Sequence, residues 1–153
     1  MTFLTRINIH TNDKTLIEND VVFIYHCTDG FNRRGLRVTL VVRSDFKFQM
    51  CMKSFENQSS TGKPFEFILN GNLPIEIWNS INFLCNQKGI ERYIKHGYGR
   101  YFQNAGDSTF KLRSSNKFIE TRIHLIDIEV FEKVANPAEK ELIKLYDLLN
   151  DWI

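Results

Sequence analysis

A chain of 153 residues with 42% hydrophobic and 25% charged residues carries enough apolar material for a packed core, so disordered and staple-dependent architectures fall away and one domain over 1–153 is expected. Three cysteines (Cys27, Cys51, Cys85) with no CxxC pair indicate neither a disulfide framework nor a structural zinc, and the net charge of +2 is far below that of a dedicated nucleic-acid binder. No run approaches the ~18 apolar residues of a membrane span and no secretory leader is visible, so the expected setting is cytoplasmic, or the host cytosol for a viral chain.

The early segments alternate with period two, as strands with one buried face do. Phe3, Thr5, Ile7 and Ile9 alternate weakly. Residues 21–27 are apolar on both faces except at His26, which predicts a central strand covered on both sides. Residues 28–35 form a glycine-rich hairpin loop with Arg33 and Arg34 at its basic tip. Val38, Leu40 and Val42 then alternate with Arg37, Thr39 and Arg43. In 45–53, Phe46, Phe48, Met50 and Met52 alternate with Lys47, Gln49 and Lys53. A polar loop over 57–63 precedes a short strand at 65–69.

The spacing of Ile77, Ile81 and Leu84, joined by Trp78 and Cys85, predicts a helix over about 73–96. Asn72 is its expected cap, Pro74 sits in its first turn, Gly89 breaks or bends it, and Ile90, Tyr93 and Ile94 continue the spacing for about one more turn until Gly97. Residues 118–131 read as a long strand whose phase changes near Leu125, where a bulge is expected. Asn136-Pro137-Ala138-Glu139 resembles a capping box with proline at the first helical position. It opens a helix over about 137–152, with Leu142, Tyr146, Leu149 and Ile153 on one face, joined by Leu145 and Trp152. These elements define an α+β fold: a mainly antiparallel sheet of about five to seven strands with two packed helices.

Signatures of common enzymes are missing. There is no G-x-x-x-x-G-K-[ST], G-x-S-x-G, H-E-x-x-H or kinase motif, and Gly97-Tyr98-Gly99 lacks the third glycine of a dinucleotide fingerprint. Of the four histidines, His26 heads one H-x-T triplet (His26-Cys27-Thr28) of the kind two-histidine phosphoesterases use in pairs. Neither His10 nor His124 supplies the second copy. Strand alternation places Glu120, Arg122 and His124 on one face, a group able to bind an anion or shuttle a proton, against the simpler reading of a solvated sheet face. A metal-independent phosphodiesterase or ribonuclease would use His124 and His96 as acid and base, with Arg122 or Lys95 offsetting the developing negative charge. No cofactor and no metal are implied.

The densest functional signal is residues 92–102, where Arg92, Lys95 and Arg100 interleave with Tyr98, Tyr101 and Phe102 around two glycines. Cations neutralise phosphates and rings stack on unpaired bases. Arg33, Arg34, Lys111, Arg113 and Lys117 extend the track. Tyrosine and arginine equally mark protein interfaces. The plain alternative is that Tyr93 and Phe102 enter the core while the arginines are solvated.

Charge is also segregated, since 88–122 hold eight Lys/Arg against three Asp/Glu while 123–153 hold three against seven. Glu129, Glu132, Glu139, Glu141, Asp147 and Asp151 define an acidic candidate surface, or the solvated side of an ordinary amphipathic helix. The expected function is that of a small non-enzymatic protein binding another macromolecule through protein–protein contact, of the inhibitor, immunity or phage accessory kind. Single-stranded RNA or DNA binding through 92–102 is the alternative, and the phosphodiesterase or ribonuclease the second.

Overall fold

The computed structural model describes residues 20–28, 36–54, 66–99, 106–124 and 136–153. The strands are β1 (Val21–Thr28), β2 (Leu36–Arg43), β3 (Lys47–Ser54), β4 (Glu66–Asn72), β5 (Gly97–Tyr98), β6 (Asp107–Ser114) and β7 (Lys117–Ile123). The helices are α1 (Ile75–Cys85) and α2 (Pro137–Trp152), with a single 3-10 turn at Ile90–Arg92. Among the described residues the strands form one sheet in the order β4-β3-β2-β1-β6-β7-β5. Every pairing is antiparallel except that of β5 with β7. The fold is α+β.

Its centre is β1, as the two-sided apolar character of that segment predicts, with three strands on either side. Phe23 and Tyr25 face the helices. In register with them come Val42 and Leu40 of β2, and Leu112 and Phe110 of β6. All are at most 1% exposed. The helices close this face with Ile77, Ile81 and Leu84 from α1 and Leu142, Leu145 and Leu149 from α2, none above 2% exposed. Each such aliphatic side chain taken out of water stabilises the fold by about 1.5–3 kcal/mol. The Ser80 hydroxyl donates to Glu141 and ties the two helices together, while Trp152 meets Phe48 edge-on at 5.0 Å over the sheet.

A smaller cluster of Val21, Ile24 and Val41, with Phe118 against it, lies apart from this core. Val21 and Ile24 are three residues apart, which simple alternation would put on opposite faces. A register shift between Val21 and Phe23 inserts Val22 and changes the phase, so both reach the same cluster.

Several expectations are corrected. The first helix ends at Cys85 rather than near 96: Gln87 N–H already turns to the Leu84 carbonyl, and Gly89, at φ 68, then keeps the chain from resuming an α-helix and opens the 3-10 turn. Asn72 does not cap it: Asn72 belongs to β4, and Pro74 occupies the cap position without a side-chain hydrogen bond. Phe46 lies outside β3 in the β2–β3 turn, at φ 56 and 43% exposed, with its ring centre 6.2 Å from that of Trp78. Leu73 N–H donates to its carbonyl at 2.9 Å and holds the turn against the start of α1. Strands β5 and β6 lie outside the segments predicted as strands from the sequence. The bend expected near Leu125, the hairpin tip at 29–35 and the weak strand at 3–9 lie outside the described residues.

Candidate functional site

The most highly organised surface follows α1. The 3-10 turn is pinned to the core by Ile90 (0% exposed) and Ile94 (8%), after which β5 runs beside β7 at the far edge of the described sheet. The backbone between them is tied on two sides. From β7, the Thr121 hydroxyl donates to the Lys95 carbonyl at 2.6 Å and Arg122 N–H to the His96 carbonyl at 3.0 Å. His124 N–H donates to the Tyr98 carbonyl at 2.9 Å. From the α2 terminus, the Asn136 side-chain amide donates to the Tyr93 carbonyl at 2.9 Å.

Glu139 organises the helix side. Asn136 caps α2 by accepting from Glu139 N–H at 2.9 Å, as the capping box predicts, but the Glu139 carboxylate does not stay within the helix. One oxygen accepts from the Asn136 amide and the other from the Tyr98 hydroxyl at 2.7 Å, and the residue is 7% exposed. The same hydroxyl accepts from Lys95 N–H at 2.9 Å. A carboxylate at a helix N-terminus also meets the positive end of the helix dipole. Burial, with Glu139 beside it, pushes the Tyr98 phenol well above its ordinary range, so it remains a neutral donor.

What this frame displays is Arg92, Tyr93, Lys95 and His96, all exposed. Tyr93 is 48% exposed and Tyr98 only 4%, so the tyrosines have exchanged the places the sequence suggested: Tyr98 enters the core and Tyr93 does not. Tyr98 therefore offers no ring face for stacking. Arg100, Tyr101, Phe102, Arg33 and Arg34 lie outside the described residues. Of the cations that were to extend the track, Lys111 shares Glu120 with Arg122 (3.8 and 3.3 Å), Lys117 pairs with Glu91 at 3.8 Å, and Arg113 stacks over Phe118 at 4.6 Å.

The catalytic candidates occupy two ends of one short ladder. Register pairs Gly97 with Arg122 and Tyr98 with Ile123, so His96 precedes the ladder and His124 follows it. Arg122 and Glu120 share a face, as alternation predicts, and engage each other. His26 lies mid-sheet with Nδ1 2.9 Å from the Thr39 hydroxyl, and Thr28 donates to Asp107 at 3.4 Å. Both polar members of the H-x-T triplet thus make cross-strand hydrogen bonds. His10 lies outside the described residues.

The acidic candidate surface is altered too. Glu139 and Glu141 are committed to Tyr98, Asn136 and Ser80, and Glu129 and Glu132 lie outside the described residues. Asp147 remains exposed, its carboxyl raised by partial burial and by nearby Asp151. Among the described residues no cluster of three or more His, Cys, Asp or Glu is arranged to hold a metal, and no helix is long and apolar enough to cross a membrane. The three cysteines are free thiols. Compared with known proteins, the chain matches no family model and no curated relative.

Proposed function

We propose that the protein is a non-enzymatic binding protein of the inhibitor or accessory kind, acting by contact with an acidic surface on another protein, and that residues 91–96 form its recognition edge. The observation that supports this reading is an immobilised backbone beneath exposed side chains. The carbonyls of Tyr93, Lys95, His96 and Tyr98 are all occupied from behind, while Arg92, Tyr93, Lys95 and His96 point away from the core. A preorganised segment loses little conformational entropy on binding. Tyrosine and arginine are the residue types on which interface energy concentrates. Glu91, the one acid of the segment, is paired with Lys117, which leaves the display basic.

Affinity capture from the native host followed by titration of the purified partner tests the reading. Tyr93→Ala and Lys95→Glu are expected to weaken binding about tenfold or more each, roughly 1.4 kcal/mol per decade. Undiminished affinity in both variants rejects this edge. Capture of ribonuclease-sensitive material, with affinity falling steeply as salt rises, would identify single-stranded nucleic acid as the ligand instead.

A further inference from the structure

Gly97 turns its backbone outward from the edge of the described sheet. In the parallel ladder of β5 and β7, Arg122 N–H donates to the His96 carbonyl at 3.0 Å and His124 N–H to the Tyr98 carbonyl at 2.9 Å. The residue between those two carbonyls therefore directs its own N–H and C=O away from β7, since successive residues of a parallel strand bond to opposite sides. Strand β5 is the last in the order, and Gly97 is exposed. With no side chain, that exposure is exposure of the backbone itself. Nothing within the described chain requires a glycine here. Its φ is not positive, and a Cβ would meet only the Arg122 carbonyl, at an ordinary 3.8 Å. A glycine placed in a strand for neither reason suits the close approach of another main chain.

We propose that an acidic segment of the partner adds to β5 as an antiparallel strand, one of its residues exchanging both backbone hydrogen bonds with Gly97. Resting on the recognition-edge reading, this pairing gives the acidic partner surface an extended conformation. Antiparallel order lets a single partner residue satisfy both outward groups. The chain leaves the strand at Gly99, φ 81, so the added segment finds its further contacts on the other side of Gly97. There Lys95 and His96 are exposed, with Arg92 beyond them. Partner residues that meet these cations follow the paired residue in antiparallel order, which places the acidic side chains C-terminal to it. Charge complementarity selects such a segment over a neutral one, while the backbone bonds fix its register.

Titration of the native full chain with synthetic acetylated hexapeptides, followed by amide NMR at low salt, tests this. The probe carries valine, threonine, valine and then three glutamates; a second peptide has the order reversed. The first is expected to shift the Gly97 amide and to bind several-fold more tightly than the second. N-methylation at one of its three leading residues should weaken binding about three- to tenfold, the worth of a backbone hydrogen bond, and abolish the Gly97 shift. Gly97→Pro removes the outward N–H and should weaken the probe by a similar factor, whereas Gly97→Ala should not. If Gly97→Pro fails to fold, the N-methylated peptides decide alone. A Gly97 amide that does not move, or affinity indifferent to N-methylation at all three positions, overturns strand addition. Either result leaves the acidic-partner reading standing, because that reading fails separately, when the purified partner binds Tyr93→Ala and Lys95→Glu undiminished.

Discussion

Tyr98 and Glu139 meet through a 2.7 Å hydrogen bond between buried groups 41 residues apart, joining the edge strand β5 to the first turn of α2. Because the Tyr98 hydroxyl also accepts from Lys95 N–H, one phenol oxygen couples the recognition segment to the helix cap. Tyr98→Phe keeps the ring and removes both bonds. The expected loss is about 1–3 kcal/mol in denaturant unfolding, because a buried carboxylate loses a donor. Amide exchange at Lys95 should accelerate by more than the global loss accounts for.

The two ends of the Asn136 side chain have different partners: its oxygen caps Glu139 N–H, and its amide holds both the Tyr93 carbonyl and the Glu139 carboxylate. Asn136→Ala should cost about 0.5–2 kcal/mol, the usual value of a lost cap. Asn136→Asp retains an accepting oxygen but removes the donor. Its thermal midpoint should fall further than cap loss predicts, because the new carboxylate faces Glu139. A midpoint equal to that of the native chain would show that the amide's contacts with Tyr93 and Glu139 contribute nothing.

Phe110 tests the weighting of the two apolar clusters. Its ring is fully buried, with its centre 5.1 Å from that of Tyr25, 6.0 Å from that of Phe23 and 6.4 Å from that of Tyr146. Phe110→Ala should destabilise by about 3–5 kcal/mol. Phe118→Ala, against the three-residue cluster, should cost clearly less. Equal losses in chemical denaturation would contradict the placement of the main core.

Alkaline stability should respond to Cys85. Burial pushes its thiol up to about 11 from an ordinary 9.0, against the opposing pull of nearby Arg113. A raised acid favours the folded state while protonated. The contribution is therefore complete below pH 9 and lost as pH rises through about 11, with a size of order 2 kcal/mol. Unfolding midpoints measured across that window should decline less steeply in Cys85→Ala than in the native chain. Some decline will remain, because burial also raises the Tyr25 and Tyr98 phenols.

Local signals in the sequence determined those parts of the protein that need only their own neighbours. The Asn136-Pro137 start of α2 follows from capping chemistry, and the helix spans Pro137–Trp152 as its periodicity predicts. The central place of β1 and the inward faces of β2 and β3 follow from apolar alternation. Tertiary structure decided the rest. Strand β6 alternates Ser108, Phe110 and Leu112 inward, but with Lys111 and Arg113 interleaved the same segment reads equally as part of a basic stretch. The two residues of β5 carry no periodicity at all; they are a strand only because β7 accepts them in parallel. The choice between Tyr93 and Tyr98 for burial likewise could not be made locally, since each is an aromatic flanked by cations in the same 92–102 stretch. It was made by Glu139 and Lys95 N–H, one an acceptor and the other a donor, which meet around a single hydroxyl only after the chain has folded.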